Sequence, residues 1–143
     1  MDASMPALLR AARAAYASVI GDALARAGCD DMPRDGAYVV SGIARSGAPL
    51  GHLIEALGVS KQAAGQLVDT LVGRGYLDRS IDPDDRRRLV VTLTERGKAA
   101  AKVIRAAVAQ VDAQLGARVG ARQIAHTRAT LASLIVGGDP PDA

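Results

Sequence analysis

The amino-acid sequence predicts a mainly α-helical protein with one small antiparallel β-sheet. The chain of 143 residues lacks Phe and Trp and is rich in alanine, the residue with the highest helix preference. Apolar residues recur at helical spacing over most of the sequence. Around Leu89, Val91 and Leu93 the pattern alternates instead, which is typical of a strand.

Length, cysteine content and charge restrict the class of protein. A chain of this size forms one domain whose core needs no metal or disulfide, and a single cysteine excludes a disulfide framework. No apolar run reaches the roughly 18 residues of a membrane span, and the first residues lack the pattern of a secretory signal. We therefore expect a cytoplasmic protein. A pI near 9.4 favours a nucleic-acid partner, but a net charge of +3 is too small to decide it.

The first half of the sequence begins with two predicted helices. Apolar residues at helical spacing predict a helix over residues 5–27, and Gly28 is suited to follow its end. Pro33 can open a second helix, which is predicted over 33–45. The sequence Ser-Gly-Ala-Pro at 46–49 is a strong break signal.

The next segment predicts a helix-turn-helix. Two short helices each carry four apolar residues at i, i+3, i+4 and i+7. These residues are Leu50, Leu53, Ile54 and Leu57 in the first helix, and Ala64, Leu67, Val68 and Leu71 in the second. Gly58 ends the first helix and Ser60 can cap the second. Two short helices joined by a three-residue turn that contains glycine form a helix-turn-helix motif.

A β-hairpin is predicted directly after the helix-turn-helix. Strands are predicted over 76–81 and 88–93, joined by a charged turn at 82–87. A hairpin at this place is a wing. The predicted fold is therefore a winged helix-turn-helix, mainly α with a small β-wing.

Two more helices are predicted after the wing. Thr94 can cap a long helix over 96–115, which Gly116 and Gly120 are expected to interrupt. A last helix is predicted over 121–136. No repeat or linker divides the chain into separate domains.

The polar face of the second helix of the pair, with the wing, forms the candidate site. In a DNA major groove, Gln can bond adenine N6 and N7, and Lys can reach guanine or a phosphate. Arginines at a hairpin tip can enter a narrow minor groove. The candidate DNA-binding residues are Ser60, Lys61, Gln62, Gly65, Gln66 and Asp69 on the helix, and Arg86, Arg87 and Arg88 in the wing.

Plainer interpretations of these residues stay open. The helix face is also compatible with an ordinary solvated surface, and the turn with an Asp–Arg network that only stiffens it. Both hold at once if Asp85 orients Arg87 while Arg86 faces outward. Gly65 costs up to about 1 kcal/mol in a helix interior, which indicates either close approach to DNA or an accidental glycine.

These motifs resemble those of a known family. Residues 85–94, Asp-Arg-Arg-Arg-Leu-Val-Val-Thr-Leu-Thr, have the wing pattern of the MarR-type winged helix-turn-helix transcription regulators, and Glu-Arg-Gly follows. Residues 57–64 and 67–77 are similar to the family's recognition helix and its exit. The specific resemblance covers 50–97. Many members carry Arg at the position of Gln66, a departure that alters the expected operator more than the function.

The resemblance implies a homodimer whose terminal helices, 5–32 and 99–137, intertwine within a single domain, 1–143. Two winged parts, 33–97 in each chain, would read a near-palindromic DNA site. The apolar residues also indicate a dimer, because three long helices carry more apolar surface than one winged part covers. Small side chains that would let these helices approach closely are Ala99, Ala100, Ala107 and Ala113. The alternative is a bundle within one chain.

The resemblance also implies an effector, since relatives often bind small aromatic acids between the dimerisation and winged parts. Without Phe or Trp, Tyr16 or Tyr38 would supply the stacking surface. Arg10, Arg13 or Arg45 would meet a carboxylate.

The other reactive side chains define no further site. Cys29 is expected to be a buried structural thiol, because a redox role needs an activated thiolate that nothing in the sequence indicates. His52 and His126 give no zinc spacing, so no metal or cofactor is predicted. A polar loop is expected from Asp30, Asp31 and Asp35.

The sequence therefore predicts a DNA-binding regulator and not an enzyme, since nucleophile and phosphate-loop motifs are missing. The expected form is a dimeric repressor that binds double-stranded DNA. The alternative is a winged-helix dimer that serves as a protein-binding adaptor, which the modest net charge and the single Lys on the recognition helix support.

Overall fold

The computed structural model describes residues 2–46, 50–87 and 89–135 and confirms the predicted fold class. Six helices and one two-stranded sheet follow each other along these ranges. The elements are α1 Met5–Arg26, α2 Gly36–Ser46, α3 Leu50–Leu57, α4 Lys61–Gly73, β1 Leu77–Ile81, β2 Leu89–Leu93, α5 Glu95–Val119 and α6 Ala121–Ala132. Within the described ranges, no helix is both long and apolar enough to cross a membrane. Of the predicted break at 46–49, residues 47–49 lie outside the described residues.

Two compact units divide the chain, Met1–Val108 and Ala109–Ala143. The first unit holds α1 through α4, the sheet and the beginning of α5. The second unit holds the rest of α5 and α6. The core described below belongs to the first unit.

The core of the first unit lies where α2, α4, the sheet and α5 meet. Its fully buried large side chains are Val39, Val40, Leu71, Tyr76 and Leu77. The start of α5 adds Ala100, Ala101, Ile104 and Ala107, all nearly inaccessible to solvent. Because alanines of α5 are buried in this way, the helix backbone packs close to the core.

This packing corrects one expectation from the sequence. Ala100 and Ala107 were expected to let helices of two chains approach each other, but both are buried within the first unit of one chain. Small side chains are needed there because the core itself leaves little room. Ala99 and Ala113 are exposed.

The helix-turn-helix has the predicted caps and turn. The Ser60 hydroxyl accepts a hydrogen bond from the Ala63 amide at 3.1 Å, which satisfies a donor that the helix leaves unpaired. Gly58 has φ +66°, a conformation that other residues rarely adopt. These two residues end α3 and start α4 within three positions.

The hairpin is antiparallel, with Leu77 opposite Leu93 at its base and Ile81 opposite Leu89 near its tip. The Tyr76 carbonyl accepts a bond from the Thr94 amide at 3.2 Å, so pairing extends one step beyond the strands. Thr94 also caps α5, since its hydroxyl accepts a bond from the Gly97 amide at 3.0 Å. The base of the wing is thus joined directly to α5.

Helix α2 begins later than predicted. Pro33 was expected to open the helix, but α2 starts at Gly36. Asp35 has φ +65°, which an α-helix cannot contain, and the Gly36 amide bonds the Pro33 carbonyl at 2.9 Å in a tight turn.

Helix α5 ends later than predicted. It continues through Gly116 to Val119 and stops only at Gly120, where φ is +86°. An interior glycine costs about 1 kcal/mol, which a helix of 25 residues tolerates. Helix α6 ends at Ala132, whereas the predicted end at residue 136 lies outside the described residues.

Candidate nucleic-acid interface and ligand cleft

Helix α4 buries one face and exposes the other. Ala64, Val68 and Leu71 point into the core of the first unit. The predicted DNA-binding residues lie on the exposed side, which carries Ser60, Lys61, Gln62, Gly65, Gln66 and Asp69. An alanine side chain built at Gly65 would meet no atom within 4 Å. The structure thus brings the predicted residues of α4 together on one open surface.

The turn of the wing is stiffened by aspartates. The Asp82 carboxylate accepts a bond from the Asp84 amide at 2.9 Å, and the Asp85 carboxylate accepts one from the Arg87 amide at 3.0 Å. Asp85 therefore orients Arg87 through its backbone. The side chains of Arg86 and Arg87 are exposed. Arg88, the third predicted arginine, lies outside the described residues.

An ion pair connects the recognition helix to the wing. The Arg79 guanidinium in β1 donates to the Asp69 carboxylate in α4. Asp69 was predicted to be a DNA-binding residue, whereas Arg79 was not predicted as a site residue. The only available signal was strand alternation, because Leu77 is buried against the core and Arg79, two residues on, shares its face of the strand.

A second polar cluster joins the loop after α1 to the base of the wing. The Tyr76 hydroxyl donates to the Asp31 carboxylate. Arg96 donates to both oxygens of the same carboxylate, at 3.0 and 3.3 Å, and to the Gly28 carbonyl at 3.2 Å. The Arg96 guanidinium carbon lies 4.3 Å from the centre of the Tyr76 ring, and its Nη1 also donates to the Arg74 carbonyl.

This Asp31 cluster changes the acidity of its members. The hydrogen bond from Tyr76, together with that from Arg96, lowers the pKa of the Asp31 carboxyl. Burial raises the pKa of the Tyr76 hydroxyl, and its bond to Asp31 adds to the effect. The bond to Asp31 also raises the pKa of Arg96. Asp31 was predicted only as a member of a polar loop. The structure places it at the centre of this cluster.

An open cleft of about 690 Å³ lies in the first unit. Helix α1, the loop 29–35, α2 and the start of α5 form its walls. Four of the five predicted ligand-binding residues line it: Arg10, Arg13, Tyr16 and Tyr38. Arg45 does not, because it lies one helical turn beyond Ser41, the last α2 residue of the wall.

Charge and burial differ among the cleft residues. Arg13 forms an ion pair with Asp35 at 2.7 Å at the edge of the cleft. Tyr38 is 41% exposed, so its ring is accessible from the cleft. Cys29 lines the wall but is buried, in accord with a structural thiol. In the described part of the chain, no group of three His, Cys, Asp or Glu side chains is placed to hold a metal ion.

Each unit also exposes large apolar side chains. In the first unit, Met5 and Leu8 of α1 are about half exposed. In the second unit the exposed apolar residues are Leu115, Val119, Leu134 and Ile135. Apolar surfaces of this kind are typical of interaction sites.

A helix-turn-helix with an exposed polar second helix, followed by a hairpin with an arginine-rich turn, defines a winged helix-turn-helix protein. Residues 30–88, which contain the helix-turn-helix, the first strand of the hairpin and its turn, match the model of the MarR family. The resemblance predicted from the sequence is therefore confirmed: the chain has a winged helix-turn-helix fold, and this segment is similar to the MarR family.

Solved structures are similar to this chain over nearly its whole length. A probable transcriptional regulator from Pseudomonas aeruginosa has a TM-score of 0.70 at 26% identity, covering 94% of this chain and 98% of that one. A MarR family protein from Mycobacterium tuberculosis, in complex with salicylic acid, has a TM-score of 0.63 at 28% identity with the same coverage.

A MarR mutant from E. coli, in complex with operator DNA, shares the fold at a TM-score of 0.70. Its identity is 22%, over 90% of this chain and 91% of that one. No curated protein matches the sequence.

Proposed function

We propose that the protein is a homodimeric transcriptional repressor that binds a near-palindromic site in double-stranded DNA. The exposed polar face of α4 beside the arginines of the wing is the observation that carries this proposal. Gln62 and Gln66 would read base edges in the major groove, with Lys61 at a base or a phosphate. Arg86 and Arg87 would enter the adjacent minor groove.

The proposed dimer is supported by the apolar surfaces of both units. Met5 and Leu8 in the first unit, and Leu115 and Val119 in the second, would be covered by a second copy of the chain. Two-fold symmetry then predicts half-sites about 10 bp apart or a multiple of that.

The cleft in the first unit is the proposed effector site. Its tyrosines offer ring surfaces and Arg10 offers a guanidinium, a combination suited to a small aromatic carboxylate. The similar protein from Mycobacterium tuberculosis holds salicylic acid. Binding there would release the repressor from its operator.

Selection of bound sequences from random duplex DNA at about 150 mM salt, which suppresses purely electrostatic binding, tests the proposal. An enriched inverted repeat is expected. If the folded protein enriches no sequence, the adaptor alternative takes precedence.

Variants of the two proposed contact regions separate their roles. Arg87→Ala is expected to weaken binding to all sequences and to reduce the salt slope by about one. Gln66→Ala should relax preference at one base pair of each half-site, with a discrimination loss of about 1–3 kcal/mol. Fluorescence anisotropy on operator and scrambled duplexes measures both. Arg105→Ala, which removes an exposed arginine from α5, is the control for charge. Uniform loss in both variants would contradict this division.

Gly65 gives a test in which stability and binding change in opposite directions. No atom lies within 4 Å of an added Cβ, so Gly65→Ala should stabilise α4 by up to about 1 kcal/mol. If the α4 backbone approaches DNA at Gly65, the same methyl group lowers operator affinity. Urea unfolding and anisotropy measure the two effects. Gly51→Ala in α3, which also meets no atom within 4 Å, is the matched control and should leave affinity nearly unchanged. Unchanged affinity in Gly65→Ala would show that this glycine is accidental.

A further inference from the structure

We propose that Arg79 is a positioning residue for DNA binding, a role that rests on the proposed function above. Through its ion pair with Asp69, it would fix the wing at one orientation relative to the recognition helix. Neither residue then needs to touch a base or a phosphate for the pair to matter.

The geometry places this pair at the junction of the two proposed DNA contacts. Asp69 stands seven residues after Gln62 and three after Gln66, on the same exposed side of α4. Arg79 is the middle residue of β1 and stands opposite Val91 of β2. The pair therefore connects the recognition helix to a strand that is hydrogen-bonded to the other strand of the wing.

The ion pair holds the hairpin at a point between its base and its tip. Arg86 and Arg87 lie in the turn beyond Ile81, which is two residues after Arg79 on a strand that rises about 3.3 Å per residue. A small tilt of the hairpin at Arg79 therefore displaces these two arginines by a larger distance. Contacts in a minor groove depend on such placement, because a side chain displaced by about 1 Å loses much of its effect.

The charges of Asp69 and Arg79 also favour a positioning role for the pair. A carboxylate on a DNA-facing helix repels phosphates, so Asp69 by itself would weaken binding. The Asp69 side chain is 66% exposed and the Arg79 side chain 40%, and an exposed ion pair contributes little to global stability. The effect of the pair should therefore appear in the order of the wing and in DNA binding, with little change in the unfolding midpoint.

Positioning and direct contact predict opposite signs for one variant. If Arg79 bound a phosphate directly, Asp69→Ala would release its guanidinium and remove a repulsive charge, and affinity would rise. If the pair positions the wing, Asp69→Ala lowers affinity although the protein becomes less acidic. Asp78→Ala, which removes an exposed acid from the same strand, is the control for charge alone.

The experiment uses the full chain with Asp69→Ala, Arg79→Ala, Arg79→Lys and the charge swap Asp69→Arg with Arg79→Asp. Amide hydrogen exchange without DNA should be about three- to tenfold faster over residues 77–93 in the two alanine variants, and unchanged in α5. Arg79→Lys and the charge swap should restore slow exchange. Operator affinity should fall about three- to tenfold in both alanine variants.

Four results would overturn a proposal, and they are distinguishable. Unchanged exchange in the wing, or an affinity that rises in Asp69→Ala, overturns the positioning role of Arg79 alone. Faster exchange that appears equally in Asp78→Ala does the same, because it would not depend on the pair. A wild-type protein that binds no duplex, selected or random, overturns the proposed function itself.

Discussion

Gly97→Ala is expected to destabilise the protein by about 2 kcal/mol, because added volume at a closely packed site costs about 1–3 kcal/mol. Gly97 lies in the first turn of α5, against the base of the wing. A Cβ at this position would collide with the Tyr76 carbonyl oxygen and lie 3.1 Å from Leu93 Cδ2. The Tyr76 carbonyl is a backbone group held by its bond from Thr94, so it cannot move aside as a flexible side chain would.

A matched substitution in the same helix should have the opposite sign. An alanine Cβ at Gly116 would meet Ile124 Cδ1 at 3.5 Å, an ordinary van der Waals contact. Gly116→Ala should therefore stabilise the protein by up to about 1 kcal/mol, through helix preference alone. Urea unfolding followed by circular dichroism measures both variants. If the two alanines shift the midpoint in the same direction, α5 does not pack against the hairpin as closely as the structure requires.

The local elements could be predicted because their causes are local. The cap at Ser60, the left-handed turn at Gly58 and the alternating residues of β2 each depend on neighbours within a few positions. The same holds for the exposed face of α4, since the period of Leu67, Val68 and Leu71 determines which side is buried. For this reason the predicted DNA-binding residues of α4 lie on one surface.

The contacts between elements could not be predicted in this way. Asp31 meets Arg96 across 65 residues of sequence, and Asp69 meets Arg79 between a helix and a strand. No periodicity in one sequence indicates which acid pairs with which arginine. The burial of Ala100 in the protomer was missed for the same reason, because its cause is the packing of other elements around α5.

The residues of the cleft could be predicted only in part. Arg10, Tyr16 and Tyr38 were predicted from side-chain chemistry together with the family resemblance, and the structure places all three on its walls. Arg45 was chosen for its charge alone and lies a turn too far along α2. Charge identifies candidate residues, but the distance along a helix determines which of them reach a common space.

Asp31→Asn is expected to lower the thermal midpoint at neutral pH by on the order of 5 °C for a chain of this size. The buried Tyr76 hydroxyl and the Arg96 guanidinium both donate to the Asp31 carboxylate, and a neutral amide is a weaker acceptor for them. The loop after α1 would then be held less firmly to the base of the wing. Asp30→Asn, at the exposed neighbouring position in the same loop, is the matched control and should change the midpoint much less.

The pH dependence of the Asp31→Asn effect identifies the charge as its cause. The pKa of Asp31 is lowered from its ordinary value of 3.8 in the folded protein, so the folded state binds this proton less readily than the unfolded state. Its contribution is therefore complete above about pH 5 and is lost as the pH falls through the folded-state pKa. Wild-type and Asp31→Asn proteins should differ most in urea midpoint at neutral pH, and the difference should shrink as the pH falls below the ordinary Asp pKa of 3.8. A difference that stays constant over this acidic range would mean that the shape of the side chain, and not its charge, holds the cluster together.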